Sequence, residues 1–280
     1  MANKIHPCLW FDGQAKAAAS FYTSIFSNSK ITADTPMVVT FEIEGFKIMG
    51  LNGGPMFTIN PSISLFVTCQ SEAEIDNLYA RLLEGGNIMM ALDKYPWAEK
   101  YAFVSDQFGV AWQLIYTSAS IGTQKIYPSL LFVGEQFGNA KAAIESYASI
   151  FPNTQIHPLN LYKAGEEAPE GYVKFGQFEL NGALFTAMDG AGKHAFQFNE
   201  AVSMVLECTN QDEIDYYWEK LTANGGKESR CGWLKDSFGI SWQIIPANLG
   251  QLMSNPSKGG RPMQALMQMG KIDIATLENA

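Results

Sequence analysis

The stretch KIHPCLWFDGQ (residues 4–14) is written a second time as KIYPSLLFVGEQ (residues 125–136), and this echo decides the fold. Further along, SEAEIDNLYARL (71–82) returns as NQDEIDYYWEKL (210–221), and DQFGVAWQLI (106–115) as DSFGISWQII (236–245). A repeat of this length exceeds the roughly 20–50 residues of a solenoid unit, so a whole domain has been duplicated. The offset between equivalent residues changes in steps. Lys4 answers Lys125 at 121, Tyr22 answers Tyr147 at 125, and Phe41 answers Phe178 at 137. Asp76 then answers Asp215 at 139, and Asp106 answers Asp236 at 130. Length changes are tolerated where no packed backbone is disturbed. The steps therefore predict surface loops at GEQFGN, at LYKAGEEAPEG (161–171) and near KYPWAEKYA (94–102). The implied boundaries are a first domain over 1–120, a second over 121–250, and a tail over 251–280 with no counterpart in the first copy.

Composition fits two globular domains, each long enough to bury a core. Apolar residues make up 47%, with no uninterrupted apolar run near the roughly 18 residues of a membrane span. The N-terminus lacks a charged segment followed by an apolar signal core. A formal charge of −9 argues against nucleic acid, which is held largely through cationic contacts to phosphate. Cys8, Cys69, Cys208 and Cys231 form no CxxC pair and read as reduced thiols, which places the protein in the cytoplasm.

Periodicity alternates between strand and helix within each copy. Ile5, Pro7, Leu9 and Phe11 alternate with His6, Cys8 and Trp10, as in a strand. AKAAASFYTSIF then sets Ala18, Phe21, Tyr22 and Ile25 on one helical stripe. MVVTFEIEG and FKIMGLNGG read as a hairpin turning at Glu44-Gly45. ISLFVTC is a strand, SEAEIDNLYARLLEGG a helix with a capping signal and a glycine stop, and YAFVSD and VAWQLIY are closing strands. Each copy thus holds two βαβββ-type modules, and the chain about four. In the tail, Pro262 suits a helix start and Asp273 a cap, with Met263, Leu266, Met267, Ile272, Ile274 and Leu277 as apolar anchors.

Together IHPCLWFDGQAKAAASFYTSIF, GGPMFTINPSISLFV, CGWLKDSFGISWQIIP and the closing MGKIDIATLENA resemble the vicinal-oxygen-chelate (glyoxalase/bleomycin-resistance/dioxygenase) superfamily. More narrowly the chain is similar to its PhnB-like branch, the 3-demethylubiquinone-9 3-methyltransferase domain family. The resemblance implies an α+β fold in which paired βαβββ modules form curved, mixed but mostly antiparallel sheets around a barrel-like pocket, with helices outside. Two tandem domains would make a pseudo-dimer within one chain, with a further homodimer open. Methyl transfer itself finds no support in the residues, since a glycine-rich strand-to-helix turn for the cofactor is missing. Gly85-Gly86 and Gly225-Gly226 follow helices and read as helix stops.

The superfamily's enzymes hold a divalent metal through side chains from several strands. Carried over by position, the ligand places fall on His6, Ser62, near Met49 and on Gln113 in copy one, and on Tyr127, Ala201, near Thr186 and on Gln243 in copy two. His6 and Gln113 are the weak metal candidates, and no cofactor is expected. The alternative reading of His6 is a partly exposed strand histidine. Gln113 and Gln243, flanked by helix-facing Trp112, Leu114, Trp242 and Ile244, face the cavity; each either ties the pocket floor together or meets a ligand. Cys8 and Trp10 share that side in copy one, and Ser129 with Leu131 in copy two. Asn60 and Asn199, with Phe57 and Phe196, form a pocket rim or cap turns. Cys231 lies in a cationic turn that would lower its thiol pKa, and His194 reads as a loop residue. These residues fit a metal-free protein binding a small apolar or aromatic molecule. The alternatives are a metal-dependent lyase, isomerase or dioxygenase, the methyltransferase of the family label, and a scaffold.

Overall fold

A computed structural model describes residues 5–117 and 124–280. Module one runs β1 (Ile5–Phe11), α1 (Ala15–Ile25), β2 (Ser29–Asp34), β3 (Val38–Ile43) and β4 (Phe46–Asn52). Module two is β5 (Ile63–Cys69), α2 (Glu72–Leu83), β6 (Asn87–Tyr95), β7 (Ala98–Ser105) and β8 (Ala111–Tyr116). Module three follows as β9 (Ile126–Phe132), α3 (Ala140–Ile150), β10 (Gln155–Ile156), β11 (Asn160–Leu161), β12 (Val173–Leu180) and β13 (Ala183–Asp189). Module four is β14 (Val202–Cys208), α4 (Gln211–Thr222), β15 (Lys227–Glu228), β16 (Trp233–Lys235) and β17 (Ser241–Pro246). The tail adds α5 (Leu249–Met253), α6 (Arg261–Gln268) and α7 (Ile274–Asn279).

The modules pair across the repeats. The first sheet has the order β15-β16-β17-β14-β1-β4-β3-β2 and joins modules one and four. The second runs β10-β12-β13-β9-β5-β8-β7-β6, with β11 on β12, and joins modules two and three. The joints are antiparallel, β1 on β14 with Cys8 opposite Ser203, and β5 on β9 with Ser64 opposite Ser129. Both sheets are open and curved, so neither closes the barrel that the resemblance implied.

Within each repeat, a helix of one sheet packs on the back of the other. Tyr22 and Phe26 at α1 meet Trp112 of β8 at ring distances of 5.1 and 5.4 Å. Tyr147 and Phe151 at α3 meet Trp242 of β17 at 5.7 and 5.5 Å. A buried aspartate pins each arrangement. Asp106 accepts from the Tyr22 hydroxyl (2.7 Å), Trp112 Nε1 (2.8 Å) and the amides of Phe108 and Val110. Asp236 repeats this with Tyr147 (2.6 Å), Trp242 (2.9 Å), Phe238 and Ile240. Burial pushes both carboxyls above their ordinary range, and the hydrogen bonds oppose it. A second repeated device starts α1 and α3, which lack their own side-chain caps. Asn52 accepts from the Ala15 amide, and Asp189 from the amides of Gly138 and Ala140.

Several expectations meet the structure closely. Glu44 and Gly45 both take positive φ, 50° and 77°, as a tight hairpin turn demands. Ser71 and Asn210 cap α2 and α4, and Gly85 and Gly225 follow those helices with φ of 74° and 104°. Asp273 caps α7 by accepting from the Thr276 amide. Others need correction. KYPWAEKYA is not a loop: β6 and β7 continue through it and turn only at Pro96-Trp97. β2 escaped the sequence because an edge strand, exposed along most of its length, needs no apolar alternation. Met267 is no anchor either, at 56% exposure, whereas Leu266, Ile272 and Leu277 are buried.

Replacing Tyr22 or Tyr147 by Phe removes one hydrogen bond to a buried carboxylate and should cost about 1–3 kcal/mol each in urea unfolding. The two sites share no partner, so the double variant should lose the sum within about 0.5 kcal/mol.

Candidate functional site

Strand alternation gives each sheet a concave face opposite its helices. On the second sheet Gln113 occupies the middle of that face. Its Nε2 donates to Ser64 Oγ (2.8 Å) and Ser129 Oγ (3.1 Å), and its Oε1 accepts from the Tyr101 hydroxyl (2.6 Å). Gln113 is 5% exposed, and Phe66, Tyr127, Leu184, Ile115 and Phe175 pack around it. Gln113 therefore ties three strands to one hairpin. The side chains of this face fill it.

On the first sheet Gln243, 7% exposed, holds the equivalent place and donates to Ser203 Oγ (3.0 Å). Cys8 stands where the second sheet has Ser129, within hydrogen-bond reach of both Gln243 and Ser203, and burial pushes its thiol up to about 12. Trp10 follows two residues on, its indole donating to the Gly54 carbonyl and its ring edge-on to Phe57 (5.0 Å) and Trp233 (6.1 Å). Lys47 and Glu207 form an ion pair on the same side.

His6 overturns its sequence reading. It is 1% exposed, not partly exposed, and neither ring nitrogen has a hydrogen-bond partner. Loss of hydration, with the charge of Lys47 adding to it, pushes its pKa down to about 3. The imidazole is therefore neutral near pH 7, one nitrogen a donor and the other an acceptor. Ser241 Oγ, also on the concave side of β17, is a further buried atom without a partner. Each such group costs about 1–3 kcal/mol of lost hydration.

The structure regroups the other candidates. His6 and Gln113 lie on different sheets, so they cannot share a ligand; His6 faces Gln243, one strand removed across Val205. Asn60 and Asn199 serve as reciprocal clasps between the repeats. Asn60 donates to the Gln197 carbonyl and accepts from the Ser62 amide, and Asn199 does the same with Thr58 and Ala201. They also line a surface groove of about 710 Å³ together with Phe196, His194 and Lys235. A second groove of about 800 Å³ lies between the end of α3 and the start of α4, on the helix side of the first sheet, where its lining residue Phe151 packs on Trp242. His194 is an exposed loop residue. Cys231 is half-buried, and desolvation outweighs Arg230 to raise its thiol pKa rather than lower it.

The metal implied by the resemblance finds no adequate ligands. The four positions that meet on the first sheet carry His6, Met49, Ala201 and Gln243; on the second they carry Tyr127, Thr186, Ser62 and Gln113. One imidazole and one neutral amide do not make a three-ligand site. Among the described residues no group of three His, Cys, Asp or Glu side chains is placed to hold an ion.

With this geometry in hand, the repeat has a family. The 3-demethylubiquinone-9 3-methyltransferase family matches residues 3–115 and again residues 124–245. The chain belongs to that family. A putative 3-demethylubiquinone-9 3-methyltransferase, PhnB protein, from Bacillus cereus is 35% identical, covering 41% of this chain and 100% of its own, with a TM-score of 0.39. A protein from Staphylococcus aureus is 31% identical over 41% of this chain and 97% of its own, with a TM-score of 0.19. Glyoxalase I from Zea mays covers 88% of this chain and 92% of its own at 13% identity and a TM-score of 0.58, a likeness of fold. No curated protein matches the chain.

The depressed His6 pKa has a definite stability signature. A folded-state pKa below the unfolded 6.5 gives stability that is present above about pH 6.5 and is lost as pH falls towards about 3. The stability difference between the native chain and His6→Phe should therefore shift against the native chain by about 1.4 kcal/mol per pH unit below about pH 6. Urea unfolding of both proteins at several pH values between 7 and 4.5 checks this. The raised Asp106 and Asp236 favour folding as pH falls, but they are common to both proteins and cancel.

Proposed function

We propose that this PhnB-like chain binds a small, largely apolar or aromatic molecule on the concave face of its first sheet, without a metal. The observation that carries this is His6, fully buried with both ring nitrogens unpartnered, on the face that also holds Cys8, Trp10 and Gln243. A buried polar group without a partner is costly, and a ligand that supplies the partner recovers that cost. The aromatic edge of Trp10, Phe57 and Trp233 suits a flat apolar body. The second sheet is then the structural half, its face occupied by its own rings around Gln113 and Ser129. Both sheets form within one chain, which suits an internal pseudo-dimer. Among the described residues no helix is long and apolar enough to cross a membrane. Cys8 and Cys69, both buried and outside any disulfide, suit a reducing cytoplasm.

A thermal-shift screen over aromatic and quinone-like compounds tests the proposal. A ligand at 100 times its Kd should stabilise the native state by about 2.7 kcal/mol, and Val205→Phe, which crowds the face beside His6, should abolish the shift. A library that moves no melting temperature defeats the proposal. Near-stoichiometric metal in protein purified without chelator, lost in His6→Ala, would overturn its metal-free part.

A further inference from the structure

The two repeats secure their equivalent helices, α2 and α4, with different parts of the chain. In the first repeat Lys100 of β7 holds Asp76 of α2 at 2.7 Å and reaches Glu72 at 3.4 Å. In the second, Asp215 takes the place of Asp76, Gln211 that of Glu72 and Arg230 that of Lys100. The cation on Asp215 is nevertheless Lys271, from the tail. Gln211 bonds the tail as well. Its Nε2 donates to the Ile272 carbonyl (3.0 Å), and its Oε1 accepts from the Ile274 amide (2.9 Å).

The exchange follows from a shortened hairpin. The offset between repeats falls from 139 to 130 between Asp76 and Asp106. β15 and β16 keep two and three residues where β6 and β7 have nine and eight. Beyond them the tail takes over. The amides of Cys231 and Gly232 donate to the carbonyls of Met269 and Gly270, at 2.8 Å each. Gly232, at φ of 84°, stands where the first repeat has Ala102. A Cβ there would lie 2.9 Å from Ile272 Cδ1 and 2.7 Å from the Ile244 carbonyl oxygen, so the glycine makes room for the tail. Ile272 and Leu277 are then fully buried, and Leu266 nearly so.

The two grips differ in how they can let go. β7 is paired with β6 on one side and β8 on the other, so its backbone cannot leave α2 without breaking the second sheet. The tail belongs to neither sheet. Its helices α5, α6 and α7 have five, eight and six residues. All fall below the roughly 12–15 residues that hold an isolated helix in water, so their order comes from docking. Gly259-Gly260, just before α6, supplies a joint. We infer that residues 261–279 form a detachable strap, which undocks from α4 and β16 as one unit and loses its helical order on leaving. It opens below the free energy of global unfolding, as a local unit of structure does. Opening strips the Cys231 and Gly232 amides of their partners and bares the margin of the first sheet beside Trp233. The second sheet, with its full hairpin, has no such opening.

Amide hydrogen exchange of the full chain, followed residue by residue by NMR at rising but sub-denaturing urea, tests this. The amides of Cys231, Gly232, Ile274 and Leu277 should share one opening, with protection equal within about threefold and at least about tenfold below that of β14. Ile272→Ala should speed all four by at least about thirtyfold and leave β14 and β5 unchanged. Ile272→Val should speed them by about two- to tenfold, and it keeps the test open if circular dichroism shows that the alanine variant fails to fold. Lys100→Ala should leave the amides of β7 as protected as the rest of their sheet. Exchange at Cys231 and Gly232 that matches β14 in free energy and urea dependence would overturn the inference, because the strap would then be part of the global unit. A variant that speeds Ile274 and Leu277 but not Cys231 and Gly232 would overturn the single unit. Release of β7 in Lys100→Ala would remove the contrast between the repeats on which the inference stands.

Discussion

The antiparallel contact of β1 with β14, mirrored by β5 with β9, is the constraint on which the rest of this molecule depends. Each module alone is half a sheet with a raw edge, and an unpaired edge exposes a row of backbone donors and acceptors. Joining first strands across the repeats removes that edge at the centre of each sheet. It also decides which side chains meet. His6 and Cys8 are brought to Ser203 and Gln243 from the other repeat, while Ser64 and Gln113 are brought to Tyr127 and Ser129. Neither concave face belongs to one copy.

The Asp106 and Asp236 clusters work at right angles to that pairing. Each aspartate sits in the turn before a final strand of one sheet and holds a tyrosine from a helix of the other. Strand pairing binds repeat to repeat, and the aspartates bind sheet to sheet within a repeat. Because each carboxylate accepts four hydrogen bonds, burial is tolerable there although it raises the pKa. At His6 the same burial meets no such compensation. On the proposed reading, that contrast marks His6 as a group that a ligand would satisfy.

The divergence of the repeats follows the same division. Residues that serve the framework are kept twice: the aspartates with their tyrosines and tryptophans, the clasping Asn60 and Asn199, and the two glutamines with a serine on the neighbouring strand. Residues that fill the concave faces are not. Tyr127, Phe66 and Tyr101 on one side stand against His6, Val205 and Cys231 on the other, where Trp10 and Trp233 meet instead.

The amino-acid sequence by itself determined the duplication, the four modules, the helix starts at Ser71 and Asn210, the Glu44-Gly45 turn and the inward direction of both glutamines. These follow from local spacing and from the period of two along a strand, which survive without knowledge of partners. Only the tertiary structure decided that modules pair across the repeats, that β6 and β7 form one long hairpin, and that His6 is buried beside Gln243 rather than joined to Gln113. Burial and partnership are set by strands more than a hundred residues away, and no period in the chain records which of two similar edges a strand will choose.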